Sequence, residues 1–169
     1  MQKIDLPDGL GLRMATRADG PFIAALFHST REAFYLADQA TDYVRNVIEQ
    51  QFELQAEGYG RQSPDAMTFI VDKQGTSIGR LILDFGKNIA HILDIALIKE
   101  ARGKGYGKAI IQAVQYIAQK QRLPVGLSVD RQNARAKRLY LSLGFMVAEY
   151  GETHEFLLWY PQSQACNIS

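Results

Sequence analysis

Apolar and polar positions follow one another along this chain with periods that predict a mixed α/β protein. Runs with a period of two, or continuous short apolar runs, predict strands, whereas apolar residues three and four apart predict amphipathic helices. The predicted strands are Leu10–Thr16, Met67–Asp72, Ile78–Phe85, Ile92–Ile98, Leu123–Val129, Phe145–Tyr150 and Glu155–Tyr160. The predicted helices are one with Pro21 near its start, then Asp38–Glu57, Lys108–Arg122 and Ala134–Leu143. We expect one mainly antiparallel, twisted sheet with helices on both faces.

Composition narrows the class of protein. The 169 residues are 47% hydrophobic and 22% charged, which is ordinary for a globular protein, and we expect a single domain over residues 1–169. A net charge of +1 gives no electrostatic reason to expect nucleic acid or a membrane surface as partner. The chain has one cysteine and no apolar segment typical of a signal peptide, so a cytoplasmic location is the expectation.

The segment Arg102-Gly103-Lys104-Gly105-Tyr106-Gly107 lies between a predicted strand and a predicted helix. Its alternate glycines remove side chains from a turn and let backbone N–H groups approach a ligand. The following helix N-terminus favours an anion, and Arg102, Lys104 and Lys108 add positive charge. The segment is therefore predicted to bind phosphate.

Spacing separates the known kinds of phosphate loop. A P-loop needs Ser or Thr after Gly-Lys, but Ala109 follows Gly107-Lys108, and a dinucleotide fingerprint needs Gly-x-Gly-x-x-Gly. The pattern Arg-x-x-Gly-x-Gly after a strand and before a helix instead resembles the coenzyme A pyrophosphate loop of the GCN5-related N-acetyltransferase (GNAT) family.

A second segment supports this resemblance. Asn133 and Tyr140 are seven residues apart and share one face of the predicted helix, and Leu143-Gly144-Phe145 follows. The sequence Asn-x-x-Ala-x-x-Leu-Tyr-x-x-x-Gly-Phe is similar to a signature of the same family. The close resemblance covers Ile78 to Phe145.

The resemblance implies an acyl-CoA N-acyltransferase-like fold and an acetyl-CoA-dependent N-acetyltransferase that uses no metal. The acetyl group would pass directly to a primary amine of a small molecule or peptide in a ternary complex. The glycine loop would hold the pyrophosphate, the backbones of Ile95, Ala96 and Leu97 would pair with the pantetheine arm, and Asn133 would steady that arm. Tyr140 would protonate the leaving thiolate as general acid. A homodimer is possible by family analogy.

The residues leave the general base open. An alkylammonium acceptor must lose a proton before it attacks, and relatives often place an acid on the strand before the glycine loop or on the strand before the Asn helix. The latter strand offers only Ser128, whereas the former offers Asp94, which we prefer, and His91. Either residue could instead be structural, Asp94 by pairing with an arginine.

The acceptor cannot be named from the sequence. The family's early helices form one wall of the acceptor cleft, and polar or aromatic residues that could line it are His28, Ser29, Thr30, Arg31, Glu32, Tyr35, Tyr43, Gln51, Glu53 and Tyr59. The competing functions are a non-catalytic acyl-CoA-binding sensor module and, less favoured, a nucleotide-binding regulator.

Overall fold

The computed structural model describes residues 3–29 and 65–162. Within these residues the strands are β1 (Ile4–Asp5), β2 (Leu10–Met14), β3 (Met67–Lys73), β4 (Thr76–Phe85), β5 (Ala90–Leu97), β6 (Val125–Asp130), β7 (Met146–Tyr150) and β8 (His154–Trp159). The α-helices are α1 (Gly20–Ser29), α2 (Tyr106–Gln121) and α3 (Ala134–Ser142). The predicted helix Asp38–Glu57 lies outside the described residues.

The strands are hydrogen-bonded in the order β1-β2-β3-β4-β5-β6-β8-β7. The pairs β1–β2, β2–β3, β3–β4, β6–β8 and β7–β8 are antiparallel, whereas β5 and β6 are parallel. The prediction of a mixed α/β fold with a mainly antiparallel sheet is therefore confirmed. No helix in the described parts of the chain is long and apolar enough to cross a membrane.

The contacts divide the chain into two compact units, of which the first comprises the residues up to Leu83 and Asp94–Gly107. Its strands β2, β3 and β4 form a meander, and its buried apolar residues include Leu10, Leu12, Leu26, Phe27, Ile70, Val71 and Leu81. Gly79 in β4 is needed for close approach, because a Cβ there would lie 2.6 Å from the Ala96 carbonyl oxygen of β5.

The second unit comprises Asp84–Leu93 and the chain from Lys108 onward. Helix α2 repeats its apolar residues at helical spacing, and the residues it buries are Ile110, Ile111, Val114 and Ala118. The strands contribute Ile92, Val125, Leu127 and Leu157, which are buried. These side chains share one face of their strands because Ile92, Leu127 and Leu157 are register partners.

Candidate active site

The glycine loop has the backbone geometry that phosphate binding requires. After β5 a short 3₁₀ turn, Lys99–Ala101, leads to Gly103 and Gly105, whose φ angles are 74° and 83°. This left-handed region strains residues with a Cβ, which explains the two glycines. Among the described residues, a Cβ at Gly105 or Gly107 would meet no atom within 4 Å. In that part of the chain the space beside the loop and the first residues of α2, which begins at Tyr106, is therefore open.

Arg102 joins the loop to the strand that precedes it. Its Nε donates a 3.0 Å hydrogen bond to the carbonyl oxygen of Leu97, the last residue of β5. The side chain of this predicted phosphate ligand thus also fixes the loop on the strand end. Arg102, Gly103, Lys104, Gly105 and Lys108 are all exposed, as residues that meet a soluble ligand should be.

Asp94 forms an ion pair with an arginine, which the sequence analysis gave as the structural alternative to a role as general base. Arg80 of β4 donates from an Nη atom to the Asp94 carboxylate. The Arg80 side chain is 6% exposed and that of Asp94 is 24% exposed. Arg80 Nε is also buried, without an acceptor among the described residues. Asp94 therefore supplies the charge that a buried guanidinium needs, and sequence reasoning did not single out Arg80.

His91 lies half-buried on β5, with its ring 5.7 Å from the ring of Phe156 in an edge-to-face arrangement. Burial lowers the pKa of His91 from its ordinary 6.5, and the negative charge of Asp84 partly opposes that shift. This shift favours the neutral imidazole, which is the state that accepts a proton.

Asn133 and Tyr140 both lie where the predicted helix placed them, Asn133 as the N-cap of α3 and Tyr140 at the end of its second turn. The Asn133 Oδ1 accepts a 3.1 Å hydrogen bond from the Ala136 N–H, which leaves the side-chain amide N–H groups for other partners. The half-buried Tyr140 ring is 6.0 Å from that of Phe145.

Lys137 lies between these two residues on the same stripe of α3, and sequence reasoning missed it. Its Nζ is 2.8 Å from Oε2 of Glu155, a side chain of β8 that is 7% exposed. The contact is an ion pair by distance but does not form a hydrogen bond. Helix α3 buries none of its residues completely, so this charge pair is one of the contacts that hold it on the sheet.

The predicted site residues fall into two groups. Asp94, Ile95, Ala96, Leu97 and Arg102–Gly107 belong to the first unit, and His91, Lys108, Asn133 and Tyr140 belong to the second. Of the predicted acceptor residues, His28 and Ser29 end α1, and Ser29 Oγ donates a hydrogen bond to the Leu26 carbonyl. The other eight lie outside the described residues. Within the described parts, no three His, Cys, Asp or Glu side chains form a group that could hold a metal ion.

A strand, a glycine loop with two left-handed glycines, and a helix N-terminus form an anion-binding site, whose spacing resembles that of coenzyme A-dependent acyltransferases. The model of the acetyltransferase (GNAT) family matches residues 23–145, and the chain belongs to that family. The predictions of the family, the fold and acetyl-coenzyme A as donor are confirmed.

Known proteins resemble the chain over different lengths. A mycothiol acetyltransferase of Corynebacterium kroppenstedtii is 35% identical over 65 residues, which are 38% of this chain and 18% of that protein. The matched part is thus about a fifth of the length of this curated relative. The PaiA N-acetyltransferase of Thermoplasma acidophilum, solved in complex with coenzyme A, superposes with a TM-score of 0.67 at 20% identity. That superposition covers 89% of this chain and 98% of the other chain.

A chimera of the spermidine N-acetyltransferase SpeG from Vibrio cholerae superposes with a TM-score of 0.63 at 21% identity, over 90% of this chain and 95% of that one. At such identities the two solved structures establish a shared fold, and they leave the acceptor of this chain open.

Proposed function

We propose that this protein transfers an acetyl group from acetyl-coenzyme A to a primary amine of a small molecule or peptide, by direct attack in a ternary complex. The observation that carries the proposal is the glycine loop, because its left-handed glycines and open side give phosphates access to backbone N–H groups. The spermidine acetyltransferase neighbour supports an amine as acceptor.

The donor would lie against backbone and a few side chains. Arg102–Gly107 would bind the pyrophosphate, the backbones of Ile95, Ala96 and Leu97 would pair with the pantetheine amides, and the Asn133 amide would donate to the same arm. When bound, acetyl-coenzyme A supplies an electrophilic thioester whose leaving group is a thiolate. Because one lone pair of the Leu97 carbonyl is used by Arg102 and the Ala96 carbonyl lies against Gly79 of β4, we assign more of the strand-like pairing to Ile95.

For proton transfer we propose His91 as the general base and Tyr140 as the general acid. Neutral imidazole accepts a proton from the acceptor ammonium, and the phenol of Tyr140 donates a proton to the thiolate. Asp94 is the less suitable base, because protonating it would leave the buried Arg80 guanidinium without its counter-charge.

The test measures thiol release from acetyl-coenzyme A with a panel of amines that includes polyamines, amino acids and peptides with free N-termini. We expect amine-dependent thiol release that Tyr140→Phe slows by about 100-fold in kcat where chemistry limits the rate. Coenzyme A binding in a calorimeter, without turnover on any amine, would instead indicate the acyl-CoA sensor module. Failure to bind coenzyme A would contradict both functions.

A further inference from the structure

Lys73, the last residue of β3, places a positive charge against the glycine loop. Its Nζ lies 4.7 Å from the centroid of the Tyr106 ring, and Tyr106 is both a loop residue and the first residue of α2. An ammonium above an aromatic face is attracted by the ring quadrupole. The Lys73 charge is therefore held beside the loop, although Lys73 is about thirty residues away in the sequence.

A tight hairpin fixes the position of Lys73. Lys73 pairs with Thr76 across a two-residue turn, in which Gln74 and Gly75 have φ angles of 50° and 86°, as in the turns that join antiparallel strands most closely. Alternation along β3 puts Lys73 on the same face as the fully buried Val71. The hairpin thus ends an apolar face with a cation.

The described carboxylate next to Lys73 in the sequence is paired with another lysine. Asp72 lies on the other face of β3 and pairs with Lys3, with 2.8 Å between Nζ and Oδ1. In residues 3–29 and 65–162 no carboxylate forms an ion pair with Lys73. Among the described residues the Lys73 ammonium thus has an aromatic partner but no carboxylate, which leaves it available to a mobile anion.

We infer that Lys73 is a donor-recognition residue, whose ammonium contacts a phosphate of acetyl-coenzyme A while Tyr106 holds it in place. The inference rests on the proposed function, since the phosphates are those of the proposed donor. It assigns the β3–β4 hairpin to the donor site and predicts an effect on donor binding alone.

The experiment compares Lys73→Gln with the wild-type protein in steady-state kinetics and in calorimetric binding of coenzyme A. Losing one charge-assisted contact to phosphate should raise the KM for acetyl-coenzyme A and the Kd for coenzyme A about tenfold. The kcat and the acceptor KM should change less than about twofold, because the contact is equal in ground and transition states. Lys73→Arg should retain most of the affinity.

Lys120→Gln is a matched control. Lys120 Nζ lies 4.6 Å from the centroid of the Tyr116 ring, both near the far end of α2, so the variant also removes one charge and one cation–π pair. We expect wild-type donor kinetics from it. In the loop, Tyr106→Leu should raise the donor KM, because the Lys73 ammonium loses the aromatic ring that holds it.

Acetyl-dephospho-coenzyme A distinguishes the phosphates. If Lys73→Gln raises the KM equally for both donors, Lys73 contacts the pyrophosphate. If it raises only the KM for acetyl-coenzyme A, Lys73 contacts the 3′-phosphate. Both outcomes support donor recognition. An unchanged donor KM in Lys73→Gln, or an effect confined to kcat, would overturn the inference. If the wild-type protein does not bind coenzyme A, the proposed function itself fails, which is a separate result.

Discussion

The ionisation of His91 is the residue-level property that decides how the proposed reaction depends on pH. Burial lowers the pKa of His91, so the neutral form persists to lower pH than for an exposed histidine. We expect kcat/KM to fall with decreasing pH through a midpoint below 6.5, the ordinary value. His91→Gln should remove this acidic limb and lower kcat/KM by about 100-fold at neutral pH.

Two variants separate this role from an indirect effect. Asp84→Asn removes the negative charge that raises the pKa of His91, so the acidic limb should move further toward low pH. His154→Gln is the control, because His154 is exposed and hydrogen-bonded to Thr153, and it should leave the limb in place. An acidic limb that persists in His91→Gln would show that another group is the base.

We expect the Asp94 carboxylate to contribute to the stability of the fold rather than to proton transfer. Asp94→Asn leaves the buried Arg80 guanidinium without a counter-charge, which should lower the free energy of unfolding by about 2–4 kcal/mol. Urea unfolding of Asp94→Asn, Arg80→Met and the double variant measures the coupling. We expect the double variant to be more stable than the sum of the single changes predicts.

If Asp94→Asn instead unfolds like the wild type and loses the acidic limb of kcat/KM, Asp94 would be the base after all. The sequence identified Asp94 as a candidate site residue, because a carboxylate that interrupts an apolar run needs an explanation. It could not supply the partner, because Arg80 is fourteen positions earlier and only the pairing of β4 with β5 brings the two residues together.

At the level of elements, the chain patterns predicted the boundaries of the described strands other than β1, and of α2 and α3, to within two residues. The largest shift in a helix start is at α2, which begins at Tyr106 rather than Lys108. Tyr and Gly are weak helix formers, so the sequence indicated loop there, whereas the backbone turns helical directly after the left-handed Gly105. The two-residue strand β1 was too short to give a periodic signal, and it exists through its pairing with β2.

The motifs of the candidate site could be located from the sequence where their residues follow one another at a fixed spacing. The glycine loop and the Asn133–Tyr140 stripe are contiguous motifs, so they could be located from sequence alone. Arg80, Lys73 and Lys137 could not, because each acts through a side-chain contact between distant elements: Arg80 with Asp94, Lys73 with Tyr106, and Lys137 with Glu155.

The packing of helix α3 on the sheet should depend on the Lys137–Glu155 ion pair. Lys137→Met leaves the 7% exposed Glu155 side chain without its counter-charge, and since Lys137 itself is partly exposed we expect a loss of about 2 kcal/mol in unfolding free energy. Because the helix carries Asn133 and Tyr140, kcat should fall as well. Arg138→Met is the control on the same helix, at an exposed position, and should change stability by less than about 0.5 kcal/mol.

When Glu155→Gln is added to Lys137→Met, the double variant should recover much of the stability that Lys137→Met alone loses. The added change removes the unpaired charge and keeps the shape of the side chain. Thermal and urea unfolding of the four proteins in this cycle provide the measurement. A Lys137→Met variant as stable as the wild type would mean that other contacts hold α3 on the sheet.

For the whole molecule, strand continuity bears on whether the two compact units are separate domains. The boundaries fall inside elements: β4 passes from one unit to the other after Leu83, β5 passes back after Leu93, and α2 continues from Gly107 to Lys108. Domain boundaries usually fall in exposed linkers, where few contacts cross. A cut inside a strand would instead remove ladder hydrogen bonds from both sides. We therefore propose that residues 1–169 form one domain, as the sequence suggested.

The expected result is one cooperative unfolding transition, in which the calorimetric enthalpy equals the van't Hoff enthalpy. Coenzyme A in excess should raise the midpoint of that whole transition, because a ligand that binds only the native state stabilises everything that unfolds with its site. At a concentration of about 100 Kd, the free energy of unfolding should rise by about 2.7 kcal/mol. Fluorescence of Trp159, which lies in the second unit, and far-UV dichroism should report the same midpoint and the same shift. Two transitions, of which coenzyme A moves only one, would show that the units unfold separately and that the donor stabilises one of them alone.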